Sequence, residues 1–149
     1  MTDPGFATPE EAERAFYDAF EALDLNAMMA VWADREFIEC IHPLSDRAQG
    51  RPQVEASWRQ IFDGGLRVQL RCSNIHRTQD ALLAIHVLYE HLSTPGEAAH
   101  HPPVIATNIY QLIDGCWRMV LHHASPSPDD DLEQQPETPA PPGSHRRLH

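Results

Sequence analysis

Residues 104–124 read Val104-Ile-Ala-Thr-Asn-Ile-Tyr-Gln-Leu-Ile-Asp-Gly-Cys-Trp-Arg-Met-Val-Leu-His-His-Ala124. They are two runs of branched and aromatic residues around a single Asp114-Gly115 pair. Two central residues of that kind fit a type I′ turn, so the stretch predicts an antiparallel hairpin. If Ile113 pairs with Cys116, then Leu112 faces Trp117, Tyr110 faces Met119, Asn108 faces Leu121 and Ala106 faces His123, all on one side. That bulky side predicts the face that packs on the rest of the chain. Thr107, Ile109, Gln111, Arg118, Val120 and His122 fall on the other, which suits solvent or a subunit contact.

Upstream, residues 66 to 76 and 81 to 92 are two more β-rich runs, and together with 104 to 113 and 116 to 124 they predict a four-strand meander. The turn at Thr78-Gln79-Asp80 allows several registers, so the orientation of this hairpin stays open. Before it, Thr8-Pro9-Glu10-Glu11 combines an N-cap Thr, a Pro at the first helical position and a Glu three residues after the cap. Ala12, Ala15, Phe16, Ala19, Phe20 and Leu23 then share one helical face. Asp24 caps a second helix with Leu25, Met28, Met29 and Trp32 on one face. Phe37 to His42 reads as a strand ended by Pro43, which cannot donate to a ladder. After a polar loop to Gly50, Val54, Trp58, Ile61 and Phe62 mark a third helix, stopped by Gly64-Gly65. The predicted architecture is α+β, a curved antiparallel sheet wrapped on three N-terminal helices.

The domain occupies residues 1–126. Residues 127–149 are rich in Pro, Asp and Glu and almost free of apolar side chains, so they predict a disordered acidic tail. A body of this size suits one core. A net charge of -11 with no compensating Lys/Arg cluster argues against nucleic acid as a partner. The apolar runs are too short for a membrane span, and the N-terminus lacks the pattern of a secretory signal, so the expected setting is cytoplasmic. Cys40, Cys72 and Cys116 are odd in number and widely spaced, which predicts buried thiols. Ten histidines raise the question of metal. There is no His-Glu-x-x-His helix and no Cys-x-x-Cys, and His100-His101 sit beside Pro102-Pro103, so neither a metal site nor another cofactor is expected.

The element order resembles the nuclear transport factor 2-like superfamily, a cystatin-like cone. Val31-Trp32-Ala33-Asp34, Ile41-His42-Pro43, Gly50-Arg51, Ser57-Trp58-Arg59-Gln60-Ile61-Phe62, Asn108, Trp117 and His122-His123-Ala124-Ser125-Pro126 resemble its SnoaL-like subgroup over residues 8 to 126. The resemblance implies a pocket in the wide end of the cone and a homodimer through the outer sheet face. It is also similar to ketosteroid isomerase where a first strand ends in an acidic base before Pro, but His42 takes the matching place here.

Three functions follow. The first is binding of a small molecule in a pocket lined by Trp32, His42, Trp58, Asn108, Tyr110, Trp117 and His123, with aromatic walls and a few polar groups that orient the ligand. The second is a cofactor-independent isomerase, cyclase or dehydratase in which His42 is the general acid/base. The third is a dimeric assembly module. His86 and Glu90 share one strand face and form a further acid/base pair to consider, whereas Glu39 alternates away from His42.

Overall fold

The computed structural model describes residues 5–96 and 102–128. His100-His101 and most of the predicted acidic tail lie outside the described residues. Three helices, α1 (Pro9–Ala22), α2 (Leu25–Val31) and α3 (Arg51–Asp63), lie on a six-stranded sheet. Its strands are β1 (Glu39–Ile41), β2 (Arg47–Gln49), β3 (Gln69–Gln79), β4 (Leu83–Ser93), β5 (Val104–Ile113) and β6 (Cys116–Pro126). They run in the order β2-β1-β6-β5-β4-β3. The long strands form the predicted meander. Two features differ from expectation. The polar stretch after Pro43 contributes β2, and β1 lies parallel to β6, so the sheet is mixed rather than antiparallel. A three-residue strand among charged side chains carries too little alternation to be seen in sequence.

Local chemistry explains the helix ends. Thr8 accepts the Glu11 N–H at 3.1 Å, and the Glu11 carboxylate returns to the Ala7 N–H at 3.0 Å, so the capping box closes one residue further out than usual. Asp24 caps α2 by accepting from the Ala27 N–H at 3.0 Å. At the other end of α2, Arg51 donates to the carbonyls of Met29, Trp32 and Ala33 at 2.8, 3.1 and 3.3 Å. These carbonyls have no partner within the helix, so the guanidinium satisfies them and ties α3 to α2. The Asp114-Gly115 turn has φ of 51° and 82°, as a type I′ turn requires.

The core is the contact of α1 and α3 with the concave sheet face. Phe16, Trp58, Tyr110, Met28, Ile38, Leu88 and Met119 are fully buried there. On β4, Ala84, His86, Leu88 and Glu90 point inward, which settles the hairpin left open above.

One register expectation is corrected. Tyr110 pairs with Met119 as predicted, but Ile109 pairs with Leu121, leaving Val120 as a β-bulge. The extra residue reverses every side chain after it. Asn108 therefore pairs with His122 and Thr107 with His123, so His122 is buried on the inner face and His123 is exposed on the outer one.

Candidate functional site

Cross-strand register aligns a polar row across the inner face. Arg77 of β3 pairs with His86 of β4, His86 with Asn108 of β5, Asn108 with His122 of β6, and His122 with Cys40 of β1. Helix α1 lies over this row and supplies Glu13 and Tyr17, four residues apart and so on one helical face.

A hydrogen-bond chain joins them. The Tyr17 hydroxyl donates to Glu90 at 2.6 Å and accepts from the Asn108 amide at 2.9 Å. The Asn108 carbonyl oxygen is 2.6 Å from His122 Nδ1, which must then carry the proton, as an amide oxygen only accepts. A second group runs beside it: Glu13 accepts from Arg77 at 2.7 Å and from His86 Nδ1 at 2.8 Å.

Burial sets the proton affinities. Glu90 is driven up to about 7 by its removal from water, against the opposing hydrogen bond from Tyr17. His122 is held down at about 3, by burial first and by His42 and His123 after it. Burial alone would raise Glu13, but the bonds from His86 and Arg77 outweigh it and hold the carboxyl below its usual range. Tyr17 is raised well above the ordinary phenol value, chiefly by burial. Cys40 and Cys72 are both pushed by burial to about 12, so they are inert thiols at neutral pH.

His42 stands at the rim. Its ring meets Trp58 edge-on, with centroids 4.6 Å apart, and His122 at 6.2 Å. Its Nε2 lies 3.3 Å from Ser57 Oγ and 3.5 Å from Cys40 Sγ. Ser57 commits its one proton to the Val54 carbonyl at 2.8 Å, so Nε2 is the donor and Nδ1 the open acceptor. Burial lowers His42 to about 4, and the ring is neutral near pH 7. The ring borders an open concavity of about 730 Å³, also lined by Ser45, Asp46, Arg47, Gln53 and Gln60.

The seven residues singled out from sequence therefore divide. Trp32, Trp58, Tyr110 and Trp117 are buried wall and core, and Asn108 sits inside the hydrogen-bond chain. His42 alone lines the concavity, and His123 is on the far face. His86 and Glu90 share the inner face, as their spacing suggests, but each bonds a different α1 side chain rather than the other. Glu13, Tyr17 and His122 were missed. The first two carry a signal in retrospect, since a Glu and a Tyr at i and i+4 flank the apolar stripe of α1. Among the described residues, no three His, Cys, Asp or Glu side chains are grouped to hold a metal ion, and no helix is long and apolar enough to cross a membrane.

Comparison with known proteins agrees with this architecture. A protein from Thiobacillus denitrificans provisionally assigned as a calcium/calmodulin-dependent protein kinase type II association domain is 46% identical, with a TM-score of 0.80 over 84% of this chain and 99% of that one. A protein from Streptomyces avermitilis, provisionally assigned as a dehydratase of the NTF2-like family, is 26% identical with a TM-score of 0.70 over 78% and 91%. A Nostoc punctiforme protein of unknown function shares the cystatin-like fold at 14% identity, with a TM-score of 0.69 over 85% and 98%. The F-box protein SKIP8 of Arabidopsis thaliana is 24% identical over 118 residues, 79% of this chain and 49% of that protein. The chain thus spans about half the length of this curated relative. The model of the SnoaL-like domain matches residues 10–130, and the chain belongs to that family.

Proposed function

We propose that the chain binds a small polar molecule in the concavity beside His42. The observation that carries this reading is the state of the imidazole. It is neutral, clamped by Ser57 and Trp58, and left with Nδ1 as an acceptor that no protein group takes up among the described residues. A ligand O–H or N–H would complete it, and the surrounding Ser, Gln, Asp and Arg side chains supply further polar contacts. A ring held near 4 is uncharged at neutral pH, so it suits an acceptor better than a general acid. If proton transfer occurs in this protein, Glu90, near 7 and bonded to Tyr17, is the better matched group, and the likeness to the Streptomyces protein supports keeping that chemistry in view.

A thermal-shift screen of neutral polyols, amides and nucleosides tests the binding reading. His42→Phe keeps an aromatic ring against Trp58 but removes both nitrogens. Compounds that raise the Tm of the wild type should bind the variant about tenfold more weakly, the worth of one lost hydrogen bond to a partly buried acceptor. Equal stabilisation of both proteins, or no stabilising compound, would sink the assignment.

A second reading, self-association through the outer sheet face, rests on a different observation. That face carries Ile85, Val87, Tyr89, Ile105, Ile109 and Leu121, each partly exposed, an apolar surface of the kind that marks protein contact. The likeness to the Thiobacillus protein, at 46% identity, supports it. Light scattering at micromolar concentration should find a dimer or larger assembly, and Val87→Lys should weaken it by about 100-fold, because a charge would be buried at the centre of the contact. A wild-type monomer would remove this reading.

A further inference from the structure

Helix α3 has two sides. Val54, Trp58 and Phe62 are buried in the core, whereas Gln53, Ala56 and Gln60 are exposed on the side turned away from it. That outward side, with the turn between β1 and β2 opposite, walls the concavity beside His42. No residue of α1 borders it, so it lies outside the cone rather than between α1 and the sheet.

The polar groups of this concavity are spaced along the helix. Gln53 and Gln60 are seven residues apart, close to two turns, which sets their positions on one side of α3 about 10 Å apart along its axis. Ala56 and Ser57 lie between them, small enough to leave an open shelf. Gln53 Oε1 accepts the Gln49 N–H at 2.9 Å, so that side chain is held and its amide nitrogen is left to donate. His42 is bonded to Ser57 at 3.3 Å and therefore sits between the two glutamines, with Nδ1 as an acceptor. Across the shelf, Arg47 gives Nε to Glu39 at 3.2 Å and keeps its two terminal nitrogens. Asp46, beside it, supplies a carboxylate.

This set selects a ligand class. Asp46 and Arg47 are the charged residues among those lining the concavity, and they are of opposite sign, so neither an anion nor a cation is favoured. Donors and acceptors are interleaved, which suits hydroxyl groups, since each of these both gives and takes a hydrogen bond. Amide, carboxylate and guanidinium groups are planar and offer two bonding atoms side by side, the arrangement that adjacent hydroxyls on one ring can meet. Pro43, Ala48, Ala56 and Ile61 leave apolar surface between them for the C–H face of such a ring. The distance from Gln53 to Gln60 is the length of two linked pyranose rings, and an open shelf leaves room for a chain to continue at either end.

We propose that the ligand of the His42 concavity is an uncharged, linear saccharide, two of whose rings lie along α3. Gln53 engages one ring and Gln60 the other, and a hydroxyl near the linkage donates to His42 Nδ1. The inference rests on the reading of this concavity as a binding site and adds the class of molecule that fills it.

Cellobiose and maltose are the probes, with glucose as the single ring and uridine as a neutral polar molecule of another class. Binding is followed in the full chain by the ring nitrogen resonances of His42 in long-range proton–nitrogen spectra. At least one disaccharide should give a saturable shift, with a Kd on the order of 1 mM. Glucose should bind about tenfold more weakly, through loss of the hydrogen bonds to one ring. Gln60→Ala replaces an exposed helical side chain by a good helix former, so its Tm should match the wild type. In that variant the disaccharide should weaken about tenfold, to the level of glucose. Glucose binding as tightly as both disaccharides, or an unchanged disaccharide affinity in Gln60→Ala, would overturn the two-ring proposal. A shift with uridine and none with either disaccharide would overturn it while leaving the concavity a binding site. No shift with any of the four compounds would overturn it as well, and a failed thermal-shift screen beside it would remove the binding reading too.

Discussion

Trp58→Ala should destabilise the fold by about 3–5 kcal/mol, the range for deleting a fully enclosed aromatic side chain. Trp58 is 0% exposed and sits where α1, α3 and the sheet meet. Its ring lies 5.5 Å from Phe16, 5.2 Å from Phe20, 5.6 Å from Phe62, 4.6 Å from His42 and 6.0 Å from His122. These partners come from every layer of the core, so none can move into the gap without giving up contacts of its own. The indole N–H has no acceptor among the described residues, and Trp58→Phe should therefore cost much less, since it sacrifices packing but no hydrogen bond. Urea unfolding of the three proteins measures both. A cost below about 1 kcal/mol for the Ala variant would mean that the cluster can close around the hole. The same substitution removes the wall behind His42, so ligand binding at the rim should fail in the fraction that remains folded.

This cluster shows what periodicity can reveal. Phe16 and Phe20 on α1, and Trp58 and Phe62 on α3, are spaced i and i+4, and that spacing alone turns them toward a common core. The Asp-Gly turn likewise fixed the pairing next to it, from Ile113 and Cys116 out to Tyr110 and Met119. Beyond that point the reading failed for one reason. A bulge adds a residue without any required side chain, and Val120 looks like an ordinary strand residue. The exchange of His123 for His122 followed, and with it the connection to Asn108. The polar row itself was out of reach for another reason. It depends on registers between β3, β4, β5 and β6 and on the rotation of α1 above them, both of which are tertiary facts. Glu13 and Tyr17 become meaningful only when Arg77, His86, Asn108 and Glu90 are brought beneath them.

Glu90→Gln should change how stability depends on pH, by an amount larger than any surface substitution gives. Glu90 titrates near 7 when folded and near 4.5 when exposed to water. Between these values the folded chain keeps a proton that the unfolded chain has released. Stability attributable to this group is therefore present in acid and lost as pH rises through the window, by on the order of 3 kcal/mol in total. His42 and His122 act in the opposite sense. They titrate near 4 and near 3 when folded, against 6.5 unfolded, so the unfolded chain takes up their protons first as pH falls below 6.5. Their contribution is complete above 6.5 and is lost in acid, by several kcal/mol together, on the order of the whole stability of a domain. The wild type should accordingly unfold in mild acid, with a rising flank from about pH 4 to 6.5 that Glu90 flattens. In Glu90→Gln the amide oxygen still accepts from Tyr17 but cannot titrate, so the flank steepens. The stability of the variant relative to wild type should climb by on the order of 3 kcal/mol from pH 4.5 to 7, whatever the constant cost of the new amide. Urea denaturation at a series of pH values reads this difference directly. A pH-independent difference would show that the carboxyl ionises as it does in water, and that the Tyr17–Glu90 pair is not the buried acid described here.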